Sequence, residues 1–233
     1  MNFKQKGFTL IELMVVVILM GIMFAIAIPG MNNFIASSRV SSTAEQFANA
    51  VRFARTEAAR LNRPVYFCPA QIKKDGKADQ HCRMTYAGLG VVTWADNNNN
   101  RTYEAATDLS LRTVILNNEN NKRISYKVEN ITFSGAAQTN GARAQMFGFL
   151  PDGTFMRLMV DASGTPTDSF PASDGYARIT FTDKEASDEA TRQKRAMMLL
   201  ISSSGRVEFC PRKEIQLGSA TGICSSVDAD WLP

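Results

Sequence analysis

The sequence predicts an α+β protein. One long N-terminal α-helix, its first half transmembrane, packs on a C-terminal, mainly antiparallel β-sheet domain. Three observations predict this fold. A nearly pure apolar run fills residues 8–28. A helical apolar period follows it and stops at Leu61. From Pro64 the period changes to two, in short segments rich in β-branched and aromatic residues. The 233 residues suffice for one sizeable domain plus an appendage. The net charge of +4 is mild and by itself points neither to nucleic acid nor to anionic lipid.

The first element reads GFTLIELMVVVILMGIMFAIAIPG, from Gly7 to Gly30. No side chain from Leu13 to Ser38 is charged. As a helix, Phe8 to Ile28 spans roughly 31 Å at 1.5 Å per residue, which matches the hydrocarbon core of a bilayer. Lys4 and Lys6 precede the run and favour a cytoplasmic N-terminus with an exported body. Ala25-Ile26-Ala27 offers a signal-peptidase site, but the run is longer than most signal cores and contains Glu12. A carboxylate in a membrane span points to function. Pro29 lacks an amide donor, so a kink is expected near Gly30.

Beyond Pro29, Val40, Ala44, Phe47, Val51, Ala54, Ala58 and Leu61 form one stripe. Arg39, Arg52, Arg55 and Arg60 fall off it and are expected on a solvated face. Asn62-Arg63-Pro64 ends the helix, because a residue before proline disfavours the helical region. Residues 8–29 are therefore read as membrane or fibre-core helix, 30–63 as its amphipathic continuation, and 64–233 as the β-rich domain.

Within that domain VYF, LGVVTW, LSLRTVIL, RISYKV, QMFGFL, TFMRLMV, YARITFT and AMMLLIS read as strands. LPDGTF and SSSGRVEF read as turns, with Gly153 and Gly205 at the bends. Residues 97–100, 135–143 and 161–175 are polar and are expected as loops. VYFCP at 65–69 recurs as VEFCP at 207–211, which suggests two similar strand ends. The four cysteines are Cys68, Cys82, Cys210 and Cys224. An even count in an exported chain suggests two disulfides, for which three connectivities exist. Short loops close most easily, which favours Cys68–Cys82 with Cys210–Cys224. None of the close cysteine pairs typical of zinc sites occurs in the sequence.

DNNNNRTYE is the one stretch that invites a metal. Asp96, Asn98 and Asn100 follow calcium-loop spacing, but Arg101 stands where that loop needs glycine and its terminal glutamate is missing. An asparagine-rich hairpin is the better reading. No catalytic constellation is visible: His81 is the only histidine, and neither a P-loop nor a dinucleotide fingerprint occurs. The sequence calls for neither metal nor cofactor.

KGFTLIELMVV resembles the class III signal of type IV pilins and type II secretion pseudopilins. The resemblance implies a leader of residues 1–7, cut after Gly7 by a prepilin peptidase. It implies N-methylation of Phe8 and an assembly role for Glu12 and Pro29, Glu12 meeting the Phe8 amine of a neighbouring subunit. FGFLPDGTF, LLISSSGRVEFCP and AEQFANAVRFARTEAARLNRPVYFCP resemble the GspH/FimT/FimU family, and within it the FimU-like minor pilins. That implies a non-catalytic minor pilin, anchored in the inner membrane with a periplasmic body and later placed in a pilus fibre. There it joins other minor pilins and the major pilin, in a complex that primes assembly and sits at the tip. A type II secretion pseudopilin is the first alternative. The second is a DNA-binding pilin for natural transformation, since some FimT-type members bind DNA through a G-R-x-R turn. Here that turn reads Gly205-Arg206-Val207-Glu208, with a glutamate in place of the second arginine. Phosphate binding would rest on Arg206, Arg212 and Lys213.

Overall fold

The computed structural model describes residues 8–79, 82, 86, 88–117, 123–136, 144–160, 166–171, 175–219 and 222–226. Its first element is a 52-residue helix, α1 (Leu10–Leu61). Thr9 caps it, its hydroxyl accepting from the Glu12 amide at 3.3 Å. Thr9-x-x-Glu12 has the spacing of a capping box, so Glu12 also suits the positive end of the helix. The backbone stays helical through residues 27–30. Asn62 ends the helix in the left-handed conformation, its N–H donating to the Ala58 carbonyl.

Twelve strands follow among the described residues. β1 (Val65–Pro69), β2 (Gly90–Ala95) and β3 (Leu109–Ile115) lead to β4 (Ile124–Thr132), β5 (Ala144–Phe149), β6 (Phe155–Val160) and β7 (Pro166–Pro171). β8 (Gly175–Asp183), a short helix α2 (Glu189–Arg195), β9 (Met197–Ser202) and β10 (Val207–Phe209) come next, then β11 (Gln216–Leu217) and β12 (Ser225–Ser226). A six-stranded sheet has the order β3-β2-β1-β5-β6-β7, and a four-stranded sheet the order β10-β9-β8-β4. Every pairing in both is antiparallel, while β11 and β12 form a small parallel pair. All eight sequence-predicted strands fall on observed ones.

The division into two sheets was not visible in the sequence, and it changes the role of the helix. Val40, Ala44, Phe47, Val51, Ala54 and Ala58 are buried between Val65 and Phe67 of β1 and Ile179 and Phe181 of β8. The seam is thus the common inner wall of both sheets. Phe47 makes edge contacts with Phe67 on one side and Phe181 on the other. Leu61, the last stripe residue, is only partly buried.

Period two then places alternate residues on the outer faces, and these are also covered. Tyr66, Cys68, Val92 and Trp94 pack with Ala70, Ala78 and Cys82 outside the larger sheet. Met198 and Leu200 pack with Cys210, Ile215 and Leu217 outside the smaller one. Each covering segment is closed by its own disulfide, Cys68–Cys82 or Cys210–Cys224, with Cα separations of 5.4 and 5.8 Å. The recurring VYFCP and VEFCP thus lead into matching devices. Opening either loop by a double Cys→Ser change is expected to cost about 3 kcal/mol, the chain-entropy value for a loop of about 15 residues. Denaturant unfolding of the two double variants measures it.

Two segments depart from expectation. Residues 166–171, expected as loop, form β7 on the open edge of β6. A free edge offers backbone partners to a polar segment, and Pro166 and Pro171 sit at its ends, where an edge strand tolerates proline. α2 escaped notice because it has no apolar face; none of its residues is buried, and the Asp188 side chain caps it by accepting from the Thr191 amide.

Candidate assembly interface

Local sequence gives α1 two environments. Ala36 is the first buried residue among its described side chains, and the seam runs on from Val40 to Ala58. Before it the helix stands clear of the body: Phe8 is 83% exposed, Ile26 75% and Phe34 73%. This half is long and apolar enough to cross a membrane by length and composition, and none of its most apolar window is buried. An apolar surface of this extent marks a membrane or protein contact. Glu12 carries the only charge between Phe8 and Ser38 and lies in the first turn. Gly7, the expected cleavage position, and His81 lie outside the described residues, as does the side chain of Pro29.

Where α1 leaves the body, three polar side chains face two arginines. Asn33, Ser37 and Ser41 lie four residues apart, one row on the helix. Arg195, the last residue of α2, donates to Asn33 Oδ1 at 2.6 Å through Nη2 and to Asp183 Oδ2 at 2.8 Å through Nη1. Asp183 is almost fully buried and also pairs with Arg123 at 3.3 Å. Arg212 donates to Ser37 Oγ at 2.5 Å, to the Lys194 carbonyl at 3.3 Å, and to Ser41 Oγ. It sits in a 3-10 turn, Arg212–Glu214, two residues after Cys210.

The three candidate phosphate contacts are therefore placed differently. Arg206 is exposed at the β9–β10 turn but pairs with Glu208 at 2.7 Å. Gly205 at that turn has φ +72 and sits against the Phe149 ring, where a Cβ would come within 2.3 Å. Arg212 turns inward to α1, and Lys213 is exposed beside it. Sequence reasoning missed the inward contacts of Arg195 and Arg212; the polar row at i, i+4, i+8 was the available signal.

A buried cation, Arg178, holds the C-terminal loop. Arg178 on β8 pairs with Glu129 on β4 at 2.9 Å and donates to the Gly222 and Ile223 carbonyls at 3.0 and 3.3 Å. Ser226 donates to Glu129 at 2.7 Å. Burial pushes the Glu129 carboxyl up, but Arg178, Ser226 and Lys127 outweigh it and hold it below the usual carboxylate range.

The asparagine-rich connection between β2 and β3 satisfies itself. Asp96 accepts from the Asn98 and Arg101 amides, and Asp108 from those of Asn97 and Glu104. Arg101 has φ +61, the conformation a calcium loop gives to glycine. Burial, and then the neighbouring Asp96 and Glu104, push the Asp108 carboxyl up. No cluster of three or more His, Cys, Asp or Glu side chains is gathered as a metal site among the described residues.

A projecting apolar helix on a disulfide-tied, two-sheet body defines a pilin-type subunit. Residues 43–231 match the family described as type II transport protein GspH, and residues 2–28 match the prokaryotic N-terminal methylation motif. The chain belongs to this GspH family, which includes pilins of the FimT and FimU type. It is similar to a type IV major fimbrial protein FimA of Dichelobacter nodosus, 63% identical over 92 residues, which cover 40% of this chain and 49% of that protein. A second FimA of the same species is 63% identical over 41 residues, covering 18% and 26%. The chain thus spans half or less of the length of these relatives. Among solved structures it is similar to the type IV minor pilin FimU of Pseudomonas aeruginosa, at 16% identity and a TM-score of 0.40, covering 74% of this chain and 94% of that one. A second crystal form of FimU gives 15% identity and the same score, covering 77% and 94%.

Proposed function

We propose that this protein is a minor type IV pilin that joins a minor-pilin complex, primes pilus assembly and sits at the fibre tip. The observation that carries this reading is the exposed apolar half of α1, headed by the methylation motif and fixed to a compact body. In this reading a prepilin peptidase cuts after Gly7 and Phe8 is N-methylated. The chain first spans the inner membrane once, its body in the periplasm. It then enters the fibre beside other minor pilins and the major pilin. Its contribution is packing and shape, with no catalytic step. A minor pseudopilin of a type II secretion machine is the second reading, favoured by the family's description as a type II transport protein.

Surface fibre counts in a clean deletion strain test the proposal, with protein secretion and DNA uptake assayed in parallel. Loss of fibres with secretion intact is the expected result. Normal fibres with failed secretion move the protein to the secretion machine. Normal fibres with failed DNA uptake favour a DNA-binding pilin acting through Arg206 and Lys213.

A further inference from the structure

We infer that Arg212 and Arg195 are positioning residues: they clasp α1 at Asn33, Ser37 and Ser41, and so set the direction in which the apolar half leaves the body. The inference rests on the reading of the chain as a fibre subunit. The clasp lies at the last point where the body can act on the helix. Ala36 is buried, whereas Phe34 and Ile35 are already exposed. Below it no described part of the body buries a helix residue, so the angle fixed here carries to the tip. Residue 36 lies about 26 helical positions above residue 10, roughly 39 Å at 1.5 Å per residue. A tilt of about 5° at the clasp displaces the first turn by about 3 Å, enough to miss a contact that needs hydrogen-bond reach.

The two arginines are held from behind. Arg195 is tied to the buried Asp183, which also takes Arg123. Arg212 follows Cys210 closely, and the bridge to Cys224 ties that turn to the C-terminal loop that Arg178 of β8 holds. Apolar packing alone leaves a helix free to slide or roll in its seam. Directional bonds from two planar guanidinium groups to a row of three acceptors do not. Arg212 thus acts inward on the protein's own helix rather than outward on a ligand.

The test uses the full-length chain in detergent micelles, with spin labels at Phe24→Cys and Lys184→Cys, alongside fibre incorporation in cells. The native cysteines are all bridged, so the labels are selective. The expected result is a narrow distance distribution that broadens equally in Arg212→Ala and in the double variant Ser37→Ala with Ser41→Ala. Incorporation falls about tenfold in each, the scale for losing hydrogen bonds to a charged donor. Combining all three changes adds little, and Ser→Thr changes at both serines restore function by restoring the hydroxyls. If Arg212→Ala impairs assembly while the serine variant assembles normally with an unchanged distribution, the inference is overturned and Arg212 acts on a partner. If the wild-type chain never enters fibres, the pilin reading fails instead, and the distance measurement still decides the clasp.

Discussion

Glu12→Ala is expected to insert in the membrane like the wild type, yet to be recovered in fibres at a level lower by at least about 100-fold. In the proposed reading, cleavage before Phe8 leaves a cationic amine, and a fibre core offers it little water. Removing one partner of a buried ion pair costs about 3–5 kcal/mol, because the other charge stays uncompensated. In that reading the pair itself is only weakly stabilising once desolvation is counted, and its main role is to set register. The capping geometry supplies a control. Glu12 stands three residues after Thr9, whose hydroxyl takes its amide. If Glu12 acted only by stabilising this end of the helix, Thr9→Ala would impair assembly as much as Glu12→Ala. Thr9→Ala is instead expected to cost about 1 kcal/mol of helix stability and little else. Membrane fractionation and immunoblots of sheared fibres read both variants.

The largest loss of stability within the body is expected for Arg178→Met, at about 3–5 kcal/mol. That change leaves the mostly buried Glu129 carboxylate with Lys127 and Ser226 but without its guanidinium, and strips a donor from the Gly222 and Ile223 carbonyls. The pH dependence gives a separate signature. Glu129 has a depressed folded value, so it adds stability above its unfolded value and loses it as pH falls through the folded one. The wild type should therefore weaken in acid partly through this group. Arg178→Met should show a flatter acid limb, because its Glu129 no longer differs so much from the unfolded chain. Urea unfolding at several acid pH values compares the two slopes; equal slopes would remove Glu129 from the acid response.

Much of this architecture is written in local pattern. The α1 stripe was legible because helical periodicity is a property of neighbouring residues, and Val40 to Ala58 are all buried as that stripe requires. The disulfides were legible because loop closure favours near cysteines, and the first turn because the motif there is specific. The division into two sheets was not legible, since period two says which residues face one way but not which partner they meet. The segment at 166–171 looked like loop because a strand on an open edge needs backbone partners rather than apolar side chains. The buried Arg178 looked like any strand arginine, since its partner Glu129 is 49 residues away.

The shared inner wall has a consequence for the order of events during synthesis. The chain emerges N-terminus first, so α1 exists before any strand, and in the proposed reading its apolar half enters the bilayer early. Residues 40–58 then stand as a template with both flanks empty. β1 and β2 arrive next and cover one flank; β8 and β9 come much later and cover the other. The segment that carries Cys210 and Cys224 is made last and covers the outer side of the smaller sheet. The smaller sheet is therefore the last part of the body to close, and the helix keeps one flank bare until the final strands are made.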